Sequence, residues 1–309
     1  RAYSPLAVSY PSPGRVEQDA ADMWERGLDV MRRAIKEAGV SARDIAGIGV
    51  VNQRGAALAW HARSMAPIAP VIGWQDQRTA ARVADFRAIG IPLNTLASAT
   101  KFEWWMRNDA VVREAAAAGT LRLGTPDTWL TAKLTGGSAH VTDPGNASGT
   151  ALYDNAAGEW STPIVDLFSV PGAALAEVVA SNDVVGETHA SLLGAPVPVA
   201  ARAGDQQAAM FGQGAHTMGD AKITLGTSAM LDVHTGEVVA DAPAGAHALS
   251  LWRLADGTRA YCLEGTVITA GSAVEWLVDL GLVRDAAEVD ALAQSVATSD
   301  GVVFVPALQ

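Results

Sequence analysis

One cysteine, Cys262, among 309 residues leaves no disulfide within the chain and no sign of an oxidising compartment. No apolar run approaches the ~18 residues that a transmembrane helix needs, and the N-terminus lacks a basic-then-apolar signal pattern. A soluble, cytoplasmic chain is therefore expected. Lysine and arginine form no run: 22 of them face 33 acidic residues, and the formal net charge of -11 repels phosphate backbones and anionic headgroups. Nucleic acid and membrane surface are excluded as expected partners. A nucleotide is not, because backbone N–H groups, helix N-termini and Mg2+ act locally. The six histidines stand singly, which speaks against a histidine-based metal site. No GxGxxG follows a strand pattern, which speaks against a nicotinamide dehydrogenase.

What the chain does have is core material. With 49% apolar residues it can fill about two domains of roughly 100–200 residues each. Strand and helix patterns alternate, predicting an α/β class with mixed sheets. Ala2 to Tyr10 alternate apolar and polar like a strand. Asp19 is placed to cap a helix in which Trp24, Leu28, Met31 and Ile35 recur until Gly39. Ile45 to Asn52 reads as a buried strand, joined through Gln53, Arg54 and Gly55 to a second, Ala56 to Trp60, so Arg54 falls at a strand end. Gln77 to Arg87 and Asp127 to Leu134 read as helices, and Lys101 to Ala117 as one longer helix. Val141 to Trp160, with Pro144, Gly145, Asn146 and Gly149, reads as a loop-rich surface crossing. A boundary near Pro196 to Ala201 predicts domains over 1–198 and 199–309.

The richest stretch is Ala203-Gly204-Asp205-Gln206-Gln207. Val197 to Ala203 has the composition of a buried strand, Gly204 permits a sharp turn, and Asp205 can cap a helix running through Met210. Further on, Ala221 to Leu225 and Ala229 to Val233 flank the turn Gly226-Thr227-Ser228, where glycine lets the backbone approach an anion and threonine adds a donor. Alone, these features are a helix cap and an ordinary hairpin; in this order they suggest a carboxylate facing a phosphate. A hairpin, Ala248 to Leu254 with Arg259 to Leu263, precedes a helix from Gly271 to Leu280.

In sequence order, many stretches resemble the FGGY family of carbohydrate kinases, and its glycerol kinase branch in particular. They are Pro13-Gly14-Arg15-Val16-Glu17-Gln18-Asp19, Asn52-Gln53-Arg54, Trp74-Gln75-Asp76-Gln77-Arg78-Thr79, Ser98-Ala99-Thr100-Lys101 and Asp127-Thr128-Trp129-Leu130. Lys133-Leu134-Thr135-Gly136-Gly137, His140-Val141-Thr142-Asp143, Asn146-Ala147-Ser148, Gly204-Asp205-Gln206-Gln207, Gly226-Thr227, Leu263-Glu264-Gly265 and Ala270-Gly271 continue the series. The resemblance implies an actin-like pair of domains with ribonuclease H-like mixed sheets, the second incomplete, closing over a cleft where ATP phosphorylates a sugar or polyol hydroxyl. It implies Asp205 as general base and as a Mg2+ contact through a Mg2+-bound water. Arg54, Gly55, Trp74, Asp76, Leu96, Gln206 and Met230 would surround the acceptor substrate, while Gly226, Thr227, Gly271 and Glu275 would bind the nucleotide.

The departures are as informative. Glycerol kinases carry a glutamate where this chain has Gly55, a tyrosine where it has Leu96 and a glutamine where it has Glu275. Losing a carboxylate and a phenol removes polar contacts and opens volume, so an acceptor other than glycerol is expected. The alternatives are a glycerol kinase proper, or a catalytically inactive sugar-binding or regulatory module of the same fold. Either is compatible with a homo-oligomer. The resemblance places a first strand and phosphate turn ahead of Arg1. It also places further adenosine contacts after a strand that Val302 to Gln309 resembles, so residues 1–309 alone are expected to be inactive.

Overall fold

The Ala20–Ala38 helix begins where Asp19 accepts from the Ala21 and Asp22 N–H groups at 2.7 and 3.1 Å, and ends at Gly39 in the left-handed region, φ 69°. The computed structural model describes residues 1–305. At its centre, the Ile48–Asn52 strand pairs in parallel with Val199–Gly204, Asn52 lying opposite Gly204. Parallel strands emerge at the same edge, and in open α/β sheets ligands gather beyond those carboxyl ends. The chain there continues as Gln53-Arg54 from one strand and as Asp205-Gln206 from the other.

Around this pair, Leu58–His61 pairs antiparallel with Leu121–Gly124, and Glu17–Gln18 with Val71–Ile72. Ala221–Leu225, Ala229–Gly236, Arg259–Val267 and Ala246–Arg253 form a four-stranded antiparallel sheet in that order. The largest core gathers Phe86, Phe102, Trp105, Leu121, Leu123 and Phe168, each such side chain worth ~1.5–3 kcal/mol when fully buried. A second holds Trp60, Trp129 and Leu58, and a third holds Met210, Leu251, Trp252 and Cys262.

Several expectations change. Ala2 to Tyr10 forms no strand, only an isolated bridge from Ser9 to Glu17. The expected long helix is two, Ser98–Asn108 and Ala110–Ala117, because Asp109 leaves helical geometry and caps the second through the Val111 and Val112 N–H groups. The segment expected to cross the surface is mostly interior. Residues 141–148 are buried, and Asp143 caps a short helix, Pro144–Gly149, that packs on the Ala246–Arg253 strand. The first central strand is shorter than expected, and Val51 is exposed. Val199–Gly204, just past the expected domain division at residue 198, is the sheet partner of Ile48–Asn52. The expected Val302 to Gln309 strand runs outside the described residues, and 302–305 are irregular.

Candidate active site

Beyond the carboxyl ends of the two central strands lies a cavity of about 170 Å3. Six of the seven expected acceptor residues line it, Arg54, Gly55, Trp74, Leu96, Gln206 and Met230, together with Asp205, the expected base. Asp205 opens the Asp205–Gly212 helix as its first residue, with Gly204 in the cap position. Its carboxylate therefore does not cap the helix as expected. One oxygen accepts from the Gln206 N–H at 2.9 Å and lies 3.9 Å from Arg54 Nε, and the side chain is 47% exposed.

Arg54 is nearly enclosed, with a 10% exposed side chain, and is paired with Glu264. Burial works to lower its pKa, but the carboxylates of Glu264 and Asp205 outweigh that and raise it. Arg54 Nε is buried without a hydrogen-bond partner, since 3.9 Å to Asp205 is an ion pair but too long for a hydrogen bond. An unmet buried donor of this kind costs ~1–3 kcal/mol.

Gly55 is required by its surroundings. Its φ is 74°, and a Cβ there would sit 2.6 Å from the Leu96 carbonyl oxygen and 3.3 Å from Trp74 Cβ. The wholly buried Lys101 donates from Nζ to the Gly55 carbonyl and pins this turn. Burial pulls the Lys101 pKa down to about 7, with Asp76 opposing.

Behind the cavity runs a buried chain of charge. Lys222 Nζ lies 2.8 Å from Asp232, with side chains 0% and 1% exposed, and also donates to Gln206 Oε1. Thr224 Oγ1 donates to the same Gln206 oxygen at 3.0 Å, which fixes Nε2 as the amide group left for a ligand. Asp232 stands directly across the sheet from Glu264, the partner of Arg54. Burial and then the Glu264 carboxylate raise the Asp232 pKa against the pull of Lys222. Arg54 and Gln206, on either side of Asp205 in the cavity wall, are thus braced through one network.

Asp76 does not join the site. It is fully buried, accepts from the Val16 N–H at 2.7 Å and from Arg78 N, Nε and Nη2 at 2.8–2.9 Å, and does not line the cavity. Burial would raise its pKa, but Arg78 and the backbone donors hold it below the usual carboxylate value. With both oxygens engaged, its expected role as a hydroxyl ligand is replaced by a structural one: it ties residue 16 to residue 78.

At the turn expected to meet phosphate, the Gly226 and Thr227 carbonyls accept from the Gly271 and Ala270 N–H groups, each at 2.9 Å. A Cβ on Gly271 would lie 2.5 Å from the Gly226 oxygen, so glycine is what lets the turn and the Gly271–Asp279 helix meet. Gly226 and Thr227 are exposed and stand just ahead of Ser228 and Met230, which line the cavity. Glu275 is exposed on the helix and does not line it. Asn94, His247 and Glu264 also line the cavity, though none was expected as a site residue; Glu264 stood only within the Leu263-Glu264-Gly265 stretch. Glu264 carried a signal, the one charge within the run Ala260 to Val267; Asn94 and His247 carried none.

Among the described residues no group of three or more His, Cys, Asp or Glu is placed to hold a metal ion, and no helix is long and apolar enough to cross a membrane. Residues 1–212 match the FGGY family of carbohydrate kinases, N-terminal domain. A glycerol kinase of Deinococcus radiodurans is 42% identical over 311 residues, covering 96% of this chain and 61% of its own length. One from Thermus brockianus is 40% identical, covering 98% and 63%. The chain thus spans about three fifths of the curated relatives it matches. Among solved structures, a Plasmodium falciparum glycerol kinase with ADP superposes with TM-score 0.88 at 28% identity, over 98% of this chain and 63% of that one. A xylulose kinase from Rhodospirillum rubrum gives TM-score 0.81 at 26% identity, over 98% and 64%. The mixed α/β architecture is the actin-like fold of those kinases. By the match of residues 1–212 and the identity to these relatives, the chain belongs to the FGGY family of carbohydrate kinases.

Proposed function

We propose that this chain carries the acceptor site of an ATP-dependent kinase that phosphorylates a sugar or polyol hydroxyl, with glycerol a poor acceptor. The observation that carries the reading is Asp205: a half-exposed carboxylate that lines the cavity together with the buried Arg54 and with Gln206. Arg54 and the Gln206 amide orient the hydroxyls, Trp74 and Met230 enclose the carbon chain, and Asp205 orients one hydroxyl and takes its proton late in the transfer.

When bound, Mg2+ and ATP supply the transferable phosphoryl group and neutralise its charge. The residues present fit that role, since Mg2+ usually takes only one or two carboxylates and completes its shell with phosphate oxygens and water. Asp205 has an exposed oxygen for this, and the Gly226-Thr227 turn offers an exposed hydroxyl and close backbone approach. Glu275 is the weakest of the proposed nucleotide contacts, being an exposed carboxylate near an anionic ligand. We place the end of the acceptor-binding part after Gly212 rather than at residue 198, because Val199–Gly204 completes the central strand pair.

The absence of a side chain at Gly55 and the apolar Leu96 favour an acceptor other than glycerol. Relatives named glycerol kinase at 42% identity favour glycerol itself as the second reading. ADP release by the full-length protein over a panel of polyols and ketoses decides between them. A longer acceptor turned over with higher kcat/KM than glycerol is the expected result; glycerol as the best acceptor supports the second reading. Sugar binding without transfer identifies an inactive module.

A further inference from the structure

We propose that Asn94 and His247 form a second substrate-reading pair in this cavity, which selects an open-chain polyol or ketose with at least four oxygen-bearing carbons. The inference rests on the kinase reading for the nature of the ligand, and on geometry for the pair itself. Asn94 Nδ2 lies 2.8 Å from His247 Nε2, and the Leu96 N–H donates to Asn94 Oδ1 at 2.9 Å. A backbone N–H can only donate, so the amide oxygen must face Leu96 and the amide nitrogen must face the ring. Nδ2 then donates to Nε2, which must hold a lone pair, and the proton of the neutral imidazole sits on Nδ1.

Both residues line the cavity, and among the described residues no hydrogen bond uses His247 Nδ1. The ring keeps one fixed donor that no protein group takes up among the described residues, and which in the proposed pair serves the occupant of the cavity. Burial lowers the His247 pKa, and the charges of Arg87 and Arg54 lower it further, in keeping with a neutral ring.

The wall beside this pair has lost other means of reading a hydroxyl, since Gly55 has no side chain and Leu96 is apolar. An acceptor substrate whose three oxygens meet Arg54, Asp205 and Gln206 has none left for Nδ1–H. A fourth oxygen, hydroxyl or keto, does. Preference for a longer chain is then a hydrogen bond made or missed, the kind of difference that discriminates more strongly than an added methylene.

The pair also joins segments 153 residues apart, so it could serve only to fasten the loop to the sheet. The test is the ratio of kcat/KM for a five-carbon polyol or ketose to that for glycerol, in the full-length protein and its His247→Ala, Asn94→Ala and His247→Gln variants. The Kd ratio for the same ligands, by calorimetry without nucleotide, is measured alongside. The expected result is a loss of at least tenfold in both ratios for the two alanine variants. Recovery is expected in His247→Gln, whose amide can both accept from Asn94 and donate to the ligand. Equal losses on long and short ligands, or ratios that stay fixed, overturn the proposal. If transfer occurs but the ratios do not move, the pair fails while the kinase reading stands. If no transfer occurs but the Kd ratio falls as expected, the pair stands while the kinase reading fails.

Discussion

The proposed acceptor side and the proposed phosphate side of this site are built on different principles. On the acceptor side, polar groups are held by buried or half-buried side chains: Glu264 on Arg54, Lys222 and Thr224 on Gln206, and Lys101 on the Gly55 carbonyl. On the phosphate side, the turn at Gly226 and Thr227 is exposed and rests on backbone hydrogen bonds to the helix start at Gly271. The first arrangement fixes where each donor points, which is what recognition of hydroxyl stereochemistry needs. The second leaves main-chain groups and small residues free to approach an anion, whose binding would need closeness more than shape. Selectivity in this chain should therefore respond to side-chain substitutions, and nucleotide affinity to added bulk.

Breaking the buried charge should have the largest effect. Removing one partner of a buried pair leaves an uncompensated charge at ~3–5 kcal/mol. Lys222→Met is expected to lower unfolding stability by about that amount in urea titration, and Lys222→Met with Asp232→Leu should recover most of it. A double variant no more stable than the single one would mean that the pair is not isolated enough to treat as a unit.

Gly55→Glu comes next. The added side chain meets the Leu96 carbonyl at a positive φ, so destabilisation of ~1–3 kcal/mol and lower turnover of the preferred acceptor are expected. Unchanged acceptor selectivity would place Gly55 outside the working pocket. Gly271→Ala is the matching experiment on the other side. Its Cβ would press on the Gly226 oxygen, at 2.5 Å, so the KM for ATP should rise several-fold while the Kd of the acceptor stays as it was. A rise in both would deny the division drawn between the two sides.

The last effect is a pH slope. Lys101 is buried with its pKa pulled from 10.5 down to about 7, so between those values the unfolded chain binds the proton and the folded chain does not. Stability then rises with pH across that window, and the cost of charging the buried amine is present in full below it. The difference in stability between the wild type and Lys101→Met should grow in the wild type's favour from pH 7 to pH 9. A flat difference would show that the buried amine keeps its charge throughout.

What could be read from the sequence was what is local. Asp205 after a strand and a glycine, the Gly226-Thr227 turn between two strands, and the Asp19 and Gly39 helix boundaries are each set by neighbours within a few positions. The misreadings and omissions are settled at long range. Asp76 is claimed by the Val16 N–H, 60 residues away, and Glu264 meets Arg54 across 210. No spacing rule marks such partners. Residues 141–148 have the composition of a loop but the burial of a core, because Asp143 and Asn146 find polar partners inside.

The central claim is that Asp205 orients the reacting hydroxyl and takes its proton. The most direct measurement is ADP release by full-length Asp205→Asn on its best acceptor, with acceptor binding followed by calorimetry on the same protein. Turnover reduced by ~100-fold or more with acceptor affinity largely kept is the predicted result. Full turnover in that variant would contradict it.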